Sequence, residues 1–196
     1  MGIRKYTTFG VITLNRKGVR DMPKFTGFKV NLNLPYIGGI EGTWEPDDSE
    51  RKAAWEMYIE LVTRVAVAKL GSDEGLLREA LTSMYSLFAT TRNILRQYGP
   101  GIAQPKGEDN LSFGYLAVAV LNTVLRPLLS KWHPLLKDYE DLRPSTISSV
   151  AYERAWEHHN ALRKEIDDAR LVLTDYAKLL GKVAGVPSLI IEQTEL

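Results

Sequence analysis

The chain has 196 residues, a net charge of +1 and 25% charged residues, and 44% of its residues are apolar. This composition is typical of a soluble globular protein, and the length is sufficient for one domain with a substantial core. Because the chain has no cysteine, disulfides, thiolate catalysis and iron–sulfur ligation are excluded. We predict a single domain over 1–196, with a β-meander in 1–45, a helical bundle in 46–185 and a tail in 186–196.

The sequence predicts a cytoplasmic protein that does not contact a membrane. Residues 1–8 lack the apolar stretch of a signal peptide. The longest apolar run, residues 113–125, already contains Asn122 and Thr123. A bilayer-spanning helix needs about 20 apolar residues, so we expect this shorter run to form a buried helix.

The first 45 residues have the pattern of β-strands. Between Phe28 and Leu34, apolar and polar residues alternate, which is the pattern of a half-buried strand. Residues 6–14 are rich in β-branched and aromatic residues, and a turn at Gly38 and Gly39 precedes a short strand over 40–44. We expect an antiparallel meander of two or three strands, which must pack on the helices or on another chain because a hairpin alone is marginally stable.

Basic residues are concentrated at the start of the chain. Residues 1–30 contain seven Lys or Arg and one Asp, a net charge of +6. Phe9, Phe25 and Phe28 are interleaved with the basic residues of this hairpin, as in proteins that bind single-stranded nucleic acid, and its contact candidates are Arg16, Lys17 and Arg20. Basic residues also protect the edge of a hairpin from pairing with other chains. Nucleic acid is therefore a possible partner of this segment, and a solvated hairpin is the alternative.

Three helices are predicted between residues 46 and 134. Pro46 to Glu50 supplies an N-cap and acidic residues for the first helix, which we expect to end at Gly71. The second runs from Ser72–Glu74 to Gly99–Pro100. The third begins near Ser112, and we expect Pro127 to kink it or end it early, and His133–Pro134 to close it.

The last predicted helix extends from Thr146 to Val183, after a cap at Pro144–Thr146. An apolar stripe with a mean spacing of about 3.6 residues supports it, at Ala151, Ala155, His158, Leu162, Ile166, Ala169, Leu173, Tyr176, Leu180 and Val183. A helix of about 38 residues would be about 57 Å long, against about 39 Å for the second helix.

This difference in length has two explanations. Either the last helix breaks, or it extends beyond the bundle by about 15–20 Å. In the second case Tyr176, Leu180 and Val183 form either a surface for a partner or the seat of the β-meander.

Two Arg/His pairs are candidates for catalysis. Arg154 and His159 are separated by four residues, and Arg126 and His133 by six. Both spacings resemble the HEPN-type ribonucleases, in which an arginine and a histidine on one helix act in a dimeric active site. A histidine can serve as general base and an arginine can stabilise phosphate charge. In the first pair, however, Ala155 stands where that family favours a polar residue, and Pro127 disturbs the second.

Other chemistry has little support in the sequence. His158 lies on the apolar stripe, where a packed core histidine is the common outcome. The chain lacks a phosphate-binding loop, a dinucleotide-binding glycine motif, a zinc-protease motif and a nucleophile elbow. We predict no cofactor and no bound metal.

Two stretches, Leu76–Phe88 continued by Arg96–Pro100 and Leu121–Pro134, resemble small helical proteins encoded beside effector genes in bacterial defence operons. The resemblance implies an accessory subunit of a multi-protein complex and assigns no catalytic residue.

The sequence as a whole predicts an α+β fold, mainly α, with an N-terminal β-meander packed on a four-helix bundle that has a long C-terminal helix. We expect a non-enzymatic interaction module of bacterial anti-phage defence, with a protein partner or a second copy of the chain. The alternatives are a metal-independent ribonuclease that uses Arg154 and His159, and a nucleic-acid-binding protein that uses the basic hairpin.

Overall fold

The computed structural model describes residues 27–34, 38–64, 71 and 74–190. Within these residues the fold is α+β and mainly helical, as the sequence predicts. The described ranges contain two strands and six α-helices: β1 (Phe28–Leu32), β2 (Ile40–Trp44), α1 (Asp48–Val62), α2 (Leu77–Tyr98), α3 (Phe113–Val120), α4 (Arg126–Asp141), α5 (Ser149–Arg154) and α6 (His159–Ala184).

Strands β1 and β2 form an antiparallel hairpin that packs on α6. Phe28 pairs with Trp44 and Leu32 pairs with Ile40, and the buried side chains of the hairpin join the same hydrophobic core as those of the helices. The predicted strands over 28–34 and 40–44 are thus confirmed. The predicted strand over 6–14 lies outside the described residues.

Helix α1 begins with the predicted cap. Asp47 accepts a hydrogen bond from the Glu50 backbone, and the Glu50 side chain accepts one from the Asp47 backbone, which is a capping box. Glu50 is fully buried and also accepts hydrogen bonds from the Phe113 backbone N–H at 2.8 Å and from Trp44 Nε1 at 3.3 Å. Lys106 Nζ lies 2.8 Å from the same carboxylate. One side chain therefore connects β2, α1 and the start of α3.

The helix after Ser112 does not end at Pro127 or at Pro134. A π-helical turn over Leu121–Leu125 joins α3 to α4, and the backbone N–H of Arg126 donates to the Leu121 carbonyl five residues before it. This turn widens the helix directly before Pro127, at the start of α4, where the missing N–H is tolerated. Pro134 lies inside α4, and the helix continues to Asp141 because a proline removes only one of its hydrogen bonds.

The joined helical segment Phe113–Asp141 is long and apolar enough to cross a membrane by length and composition alone. Of its most apolar window, 56% is buried inside the fold. The core helix of a soluble protein has these same properties, so the segment is compatible with a soluble protein.

The apolar stripe from Thr146 to Val183 does not form one continuous helix, so the structure agrees with the first of the two explanations, a break. The chain turns between α5 and α6, and this turn places Trp156 in the core. The Trp156 ring packs edge-on against Trp132 at 5.8 Å and stacks on Tyr139 at 5.5 Å. His158, expected in the core, lies in the turn and is exposed.

Of the two roles predicted for this part of the last helix, the structure shows the seat of the β-meander and not an exposed partner surface. Tyr176, Leu180 and Val183 are 2%, 0% and 0% exposed, because α1 and the hairpin cover this part of α6. The break before α6 shortens the helix to 26 residues, so it does not extend beyond the bundle.

Helix α2 takes its N-terminal cap from a distant part of the chain. Leu76 at its N-cap makes no side-chain hydrogen bond. Instead the buried carboxylate of Glu153, in α5, accepts from the backbone N–H groups of Leu77 at 2.8 Å and Arg78 at 3.3 Å. This carboxylate satisfies donors that a helix start leaves free and fixes α2 against α5.

Candidate functional site: a groove between α2 and α4

Arg154 and His159 do not lie on one helix. Arg154 is the last residue of α5 and His159 is the first residue of α6, with the turn over 155–158 between them. The Nδ1 atom of His159 is buried and makes no hydrogen bond within the described part of the chain. The shared helix on which the ribonuclease resemblance depends is therefore not formed by this pair.

Arg126 and His133 lie together at an open groove of about 560 Å³. We call this feature the α2–α4 groove, because helices α2 and α4 form its walls. Its volume is in the range of small-ligand and peptide-anchor sites. The lining residues are Tyr85, Phe88 and Arg92 from α2, and Arg126, Leu129, Ser130, His133 and Pro134 from α4.

The spacing of these residues explains how each helix presents them. On α2 the lining residues are three and four positions apart, so they lie on one side of the helix. Another side of the same helix is buried and so keeps the lining side turned toward solvent. Its buried residues are Leu81, Met84, Leu87 and Thr91. On α4, Arg126, Leu129, Ser130 and His133 follow the same helical rule. Leu129 is itself only 5% exposed, and Leu128, Trp132 and Leu136 are buried.

The guanidinium of Arg126 is held in place from two directions. It lies over the Phe88 ring, 5.4 Å from the ring centroid, and its Nε donates to Asn122 Oδ1 at 2.9 Å. Within the described residues, its two terminal nitrogens make no further hydrogen bond. A guanidinium fixed in this way still presents the edge formed by its two terminal nitrogens. This edge can bind a carboxylate or a phosphate through two parallel hydrogen bonds.

Arg92 adds a second positive charge at this end of the groove. It is exposed, one helical turn after Phe88, and makes no ion pair or hydrogen bond with any described residue. The groove lining includes no carboxylate. The Arg92–Arg126 end is therefore electropositive and suited to an anion.

His133 is hydrogen-bonded to the protein through its Nδ1 atom. Nδ1 lies 2.9 Å from Nη1 of Arg78, and because a guanidinium only donates, we assign Nδ1 as the acceptor and place the ring proton on Nε2. The Nε2 atom is buried. Burial first, and then the positive charge of Arg78, lower the pKa of His133 below its usual value, although the Leu81 carbonyl and Glu140 act in the opposite direction.

These contacts decide what His133 can do. At neutral pH the ring is uncharged, its acceptor nitrogen is occupied by Arg78, and its other nitrogen is out of solvent. General base catalysis needs a free acceptor within hydrogen-bond reach of the substrate. In this arrangement His133 shapes the groove wall and offers no such acceptor.

Tyr85 forms the aromatic end of the groove. Its ring packs edge-on against His133 at 5.7 Å and lies 6.2 Å from Phe88, yet 62% of the residue is exposed. An exposed tyrosine backed by other rings is a typical anchor point for a binding partner.

A second groove of about 310 Å³ lies between α1 and α2 and includes Trp55, Ile59, Glu56 and Glu60. Its carboxylates are engaged within the fold. Glu56 accepts from Gln97 and Tyr98, and Glu60 pairs with Arg64. The α2–α4 groove, whose arginines have no carboxylate partner in the described part of the chain, is the stronger candidate.

The other predicted site residues have separate outcomes. Arg16, Lys17 and Arg20 lie outside the described residues, so the basic hairpin stays a prediction. In the described ranges, no three His, Asp or Glu side chains are grouped to hold a metal ion. Sequence reasoning identified Arg126 and His133 but missed Tyr85 and Arg92, although their positions three before and four after Phe88 were a usable signal.

Comparison with protein-family models, with curated proteins and with solved structures finds no match to this chain. No family is assigned. Functional conclusions therefore depend on the chemistry of the groove.

Proposed function

We propose that this chain is a non-enzymatic protein-interaction module, and that the α2–α4 groove binds an acidic segment of a partner protein. The observation that carries the proposal is the pair Arg92 and Arg126, which have no carboxylate partner among the described residues and stand beside an exposed aromatic side chain. In keeping with its resemblance to accessory proteins of bacterial defence operons, we propose an accessory subunit that works in the cytoplasm.

The groove offers both contributions that a docking site needs. Burial of apolar surface on Tyr85, Phe88 and Pro134 would supply affinity. A hydrogen bond from a guanidinium to a carboxylate is worth about 1.5–3 kcal/mol when water is excluded. The charges would also select against basic partners and speed association.

Site-specific photocrosslinking in cells tests this proposal. With p-benzoylphenylalanine at Tyr85, we expect a crosslinked partner whose attached segment is acidic. The matched control is the same probe at Tyr115, an exposed tyrosine on α3 that does not line the groove. The yield should fall at least about tenfold in the Arg92→Glu, Arg126→Glu variant and remain unchanged in Lys52→Glu, which reverses an exposed charge on α1.

A charge exchange completes the test. Replacing the acidic residues of the crosslinked segment by arginine should restore the crosslink to the Arg92→Glu, Arg126→Glu variant. Equal crosslinking from Tyr85 and Tyr115, or a crosslinked segment without acidic residues, would overturn the proposal. A phosphate backbone fits the same arginines, so crosslinks from Tyr85 mainly to nucleic acid would favour the nucleic-acid alternative instead.

A further inference from the structure

We infer that the partner segment is an acidic amphipathic α-helix, with its carboxylates beside Arg92 and Arg126 and a large apolar side chain beside Tyr85. This inference rests on the proposed function and adds the conformation, the orientation and the residue spacing of the bound segment.

The walls of the groove favour a helix over an extended peptide. Both walls are helices, whose backbone N–H and C=O groups are already used within each helix. A peptide bound as a β-strand gains affinity by pairing with an exposed strand edge, and neither wall has one. A helix satisfies its own backbone groups and needs only side-chain contacts.

The dimensions of the groove correspond to about two turns of helix. From Tyr85 to Arg92 the α2 wall rises by seven residues, or about 10 Å. Side chains at the first and eighth positions of a partner helix are the same distance apart and lie near the same side. The side chain at the first position of the partner helix therefore contacts one end of the groove, and the side chain at the eighth position contacts the other end.

The two arginines determine the spacing of the acidic residues. Arg92 is on the α2 wall and Arg126 is on the α4 wall, and both lie within about one turn of Phe88. Two carboxylates three or four positions apart on the partner helix project from the same side, so one can approach each wall. Since Arg126 is already held by Phe88 and Asn122, little side-chain freedom is lost on binding.

Aromatic and apolar side chains at the other end of the groove determine which partner residue binds there. Tyr85 is exposed, and Pro134, which is also exposed, lines the facing wall. A leucine or phenylalanine about one turn beyond the second carboxylate would cover these side chains. The partner helix thus has an acidic end and an apolar end, and only one direction along the groove matches both.

Synthetic 18-residue peptides with blocked ends and a fluorescent label test this inference. The parent peptide carries two glutamates four positions apart, followed one turn later by two leucines on the same side. One control has the same composition with the glutamates moved to the opposite side. A second control has a central proline, which prevents a continuous helix.

We expect the parent peptide to bind, with affinity measured by fluorescence anisotropy, and to gain helical circular dichroism on binding. Both control peptides should bind at least about tenfold more weakly, and so should the parent with Arg126→Glu protein, whereas Lys52→Glu protein should bind it normally. A peptide with lysines in place of the glutamates should recover binding to Arg126→Glu protein.

Failures of this inference and of the proposed function are distinguishable. Equal binding of the proline and parent peptides, or of the two glutamate arrangements, would overturn the helix while leaving acidic docking intact. If the parent peptide does not bind at 1 mM while the Tyr85 crosslink maps to a non-helical acidic segment, the helix is also overturned. If a single-stranded oligonucleotide binds more tightly than the parent peptide and loses binding with Arg126→Glu, both proposals are overturned.

Discussion

Replacement of Glu50 should destabilise the protein more than replacement of Glu153 or Asp48. Its fully buried side chain accepts hydrogen bonds from the Phe113 N–H, Trp44 Nε1 and the Asp47 N–H, and it pairs with Lys106. In Glu50→Ala, the first two donors lose their acceptor inside the core. A buried donor left unsatisfied costs about 1–3 kcal/mol, and a broken buried pair costs about 3–5 kcal/mol.

We therefore expect Glu50→Ala to lower the free energy of unfolding by about 4 kcal/mol. Glu50→Gln keeps a carbonyl acceptor but loses the charge, so about 2 kcal/mol is expected. For a chain of this size, 1 kcal/mol corresponds to about 2–4 °C in Tm, so the alanine variant should melt about 8–16 °C lower.

Urea unfolding followed by circular dichroism, with thermal melts in parallel, measures these differences. The matched control is Asp48→Ala, which removes an exposed carboxylate from the same first turn of α1 and should cost less than about 1 kcal/mol. The reasoning is refuted if Glu50→Ala costs less than about 1 kcal/mol with an unchanged m value, or if it does not differ from Asp48→Ala.

Two further predictions concern Glu153 and His133. Glu153→Ala removes the carboxylate that caps α2, so we expect the free energy of unfolding to fall by about 1–2 kcal/mol. Amide hydrogen exchange at Leu77 and Arg78 should become faster, and unchanged exchange at these two residues would contradict the cap. Because the folded state lowers the pKa of His133, the unfolded chain binds more protons near pH 6, and stability should fall as the pH drops below about 6.5. In thermal melts between pH 7.5 and 5.0, His133→Gln should reduce this dependence of stability on pH. For one proton, the slope is at most about 1.4 kcal/mol per pH unit. Identical pH profiles of the variant and the wild type would exclude His133 as the source of the dependence.

The parts of the fold that follow local rules were predictable. Alternation between Phe28 and Leu34 requires only neighbouring residues, and so does the cap formed by Asp47 and Glu50. Both predictions were confirmed. The face of α6 from Leu162 to Val183 also follows from periodicity alone, and its residues lie in the core.

The break before α6 was not predictable from periodicity. The helical spacing continues through Ala155 and His158, so the local pattern contains no stop. The turn forms because it allows the Trp156 ring to pack against Trp132 and Tyr139, which both belong to α4. A contact between separate helices overrode the local preference.

The candidate site shows the same division. The spacing of Arg126 and His133 within one helix indicated a candidate catalytic pair. The groove that these residues line is completed by Tyr85, Phe88 and Arg92 from the other side of the α2–α4 interface. The link from His133 to Arg78 joins residues 55 positions apart. Spacing within one segment therefore suggested catalysis, whereas the three-dimensional arrangement favours binding.

The cap that Glu153 provides for α2 has a consequence for the order of folding. The carboxylate and the Leu77 N–H are separated by 76 residues, so the first turn of α2 cannot reach its final hydrogen bonding before α5 has been synthesised. Forming this contact closes a long loop, which costs entropy and slows folding. During synthesis, the first turn of α2 therefore lacks this cap until the last quarter of the chain emerges from the ribosome.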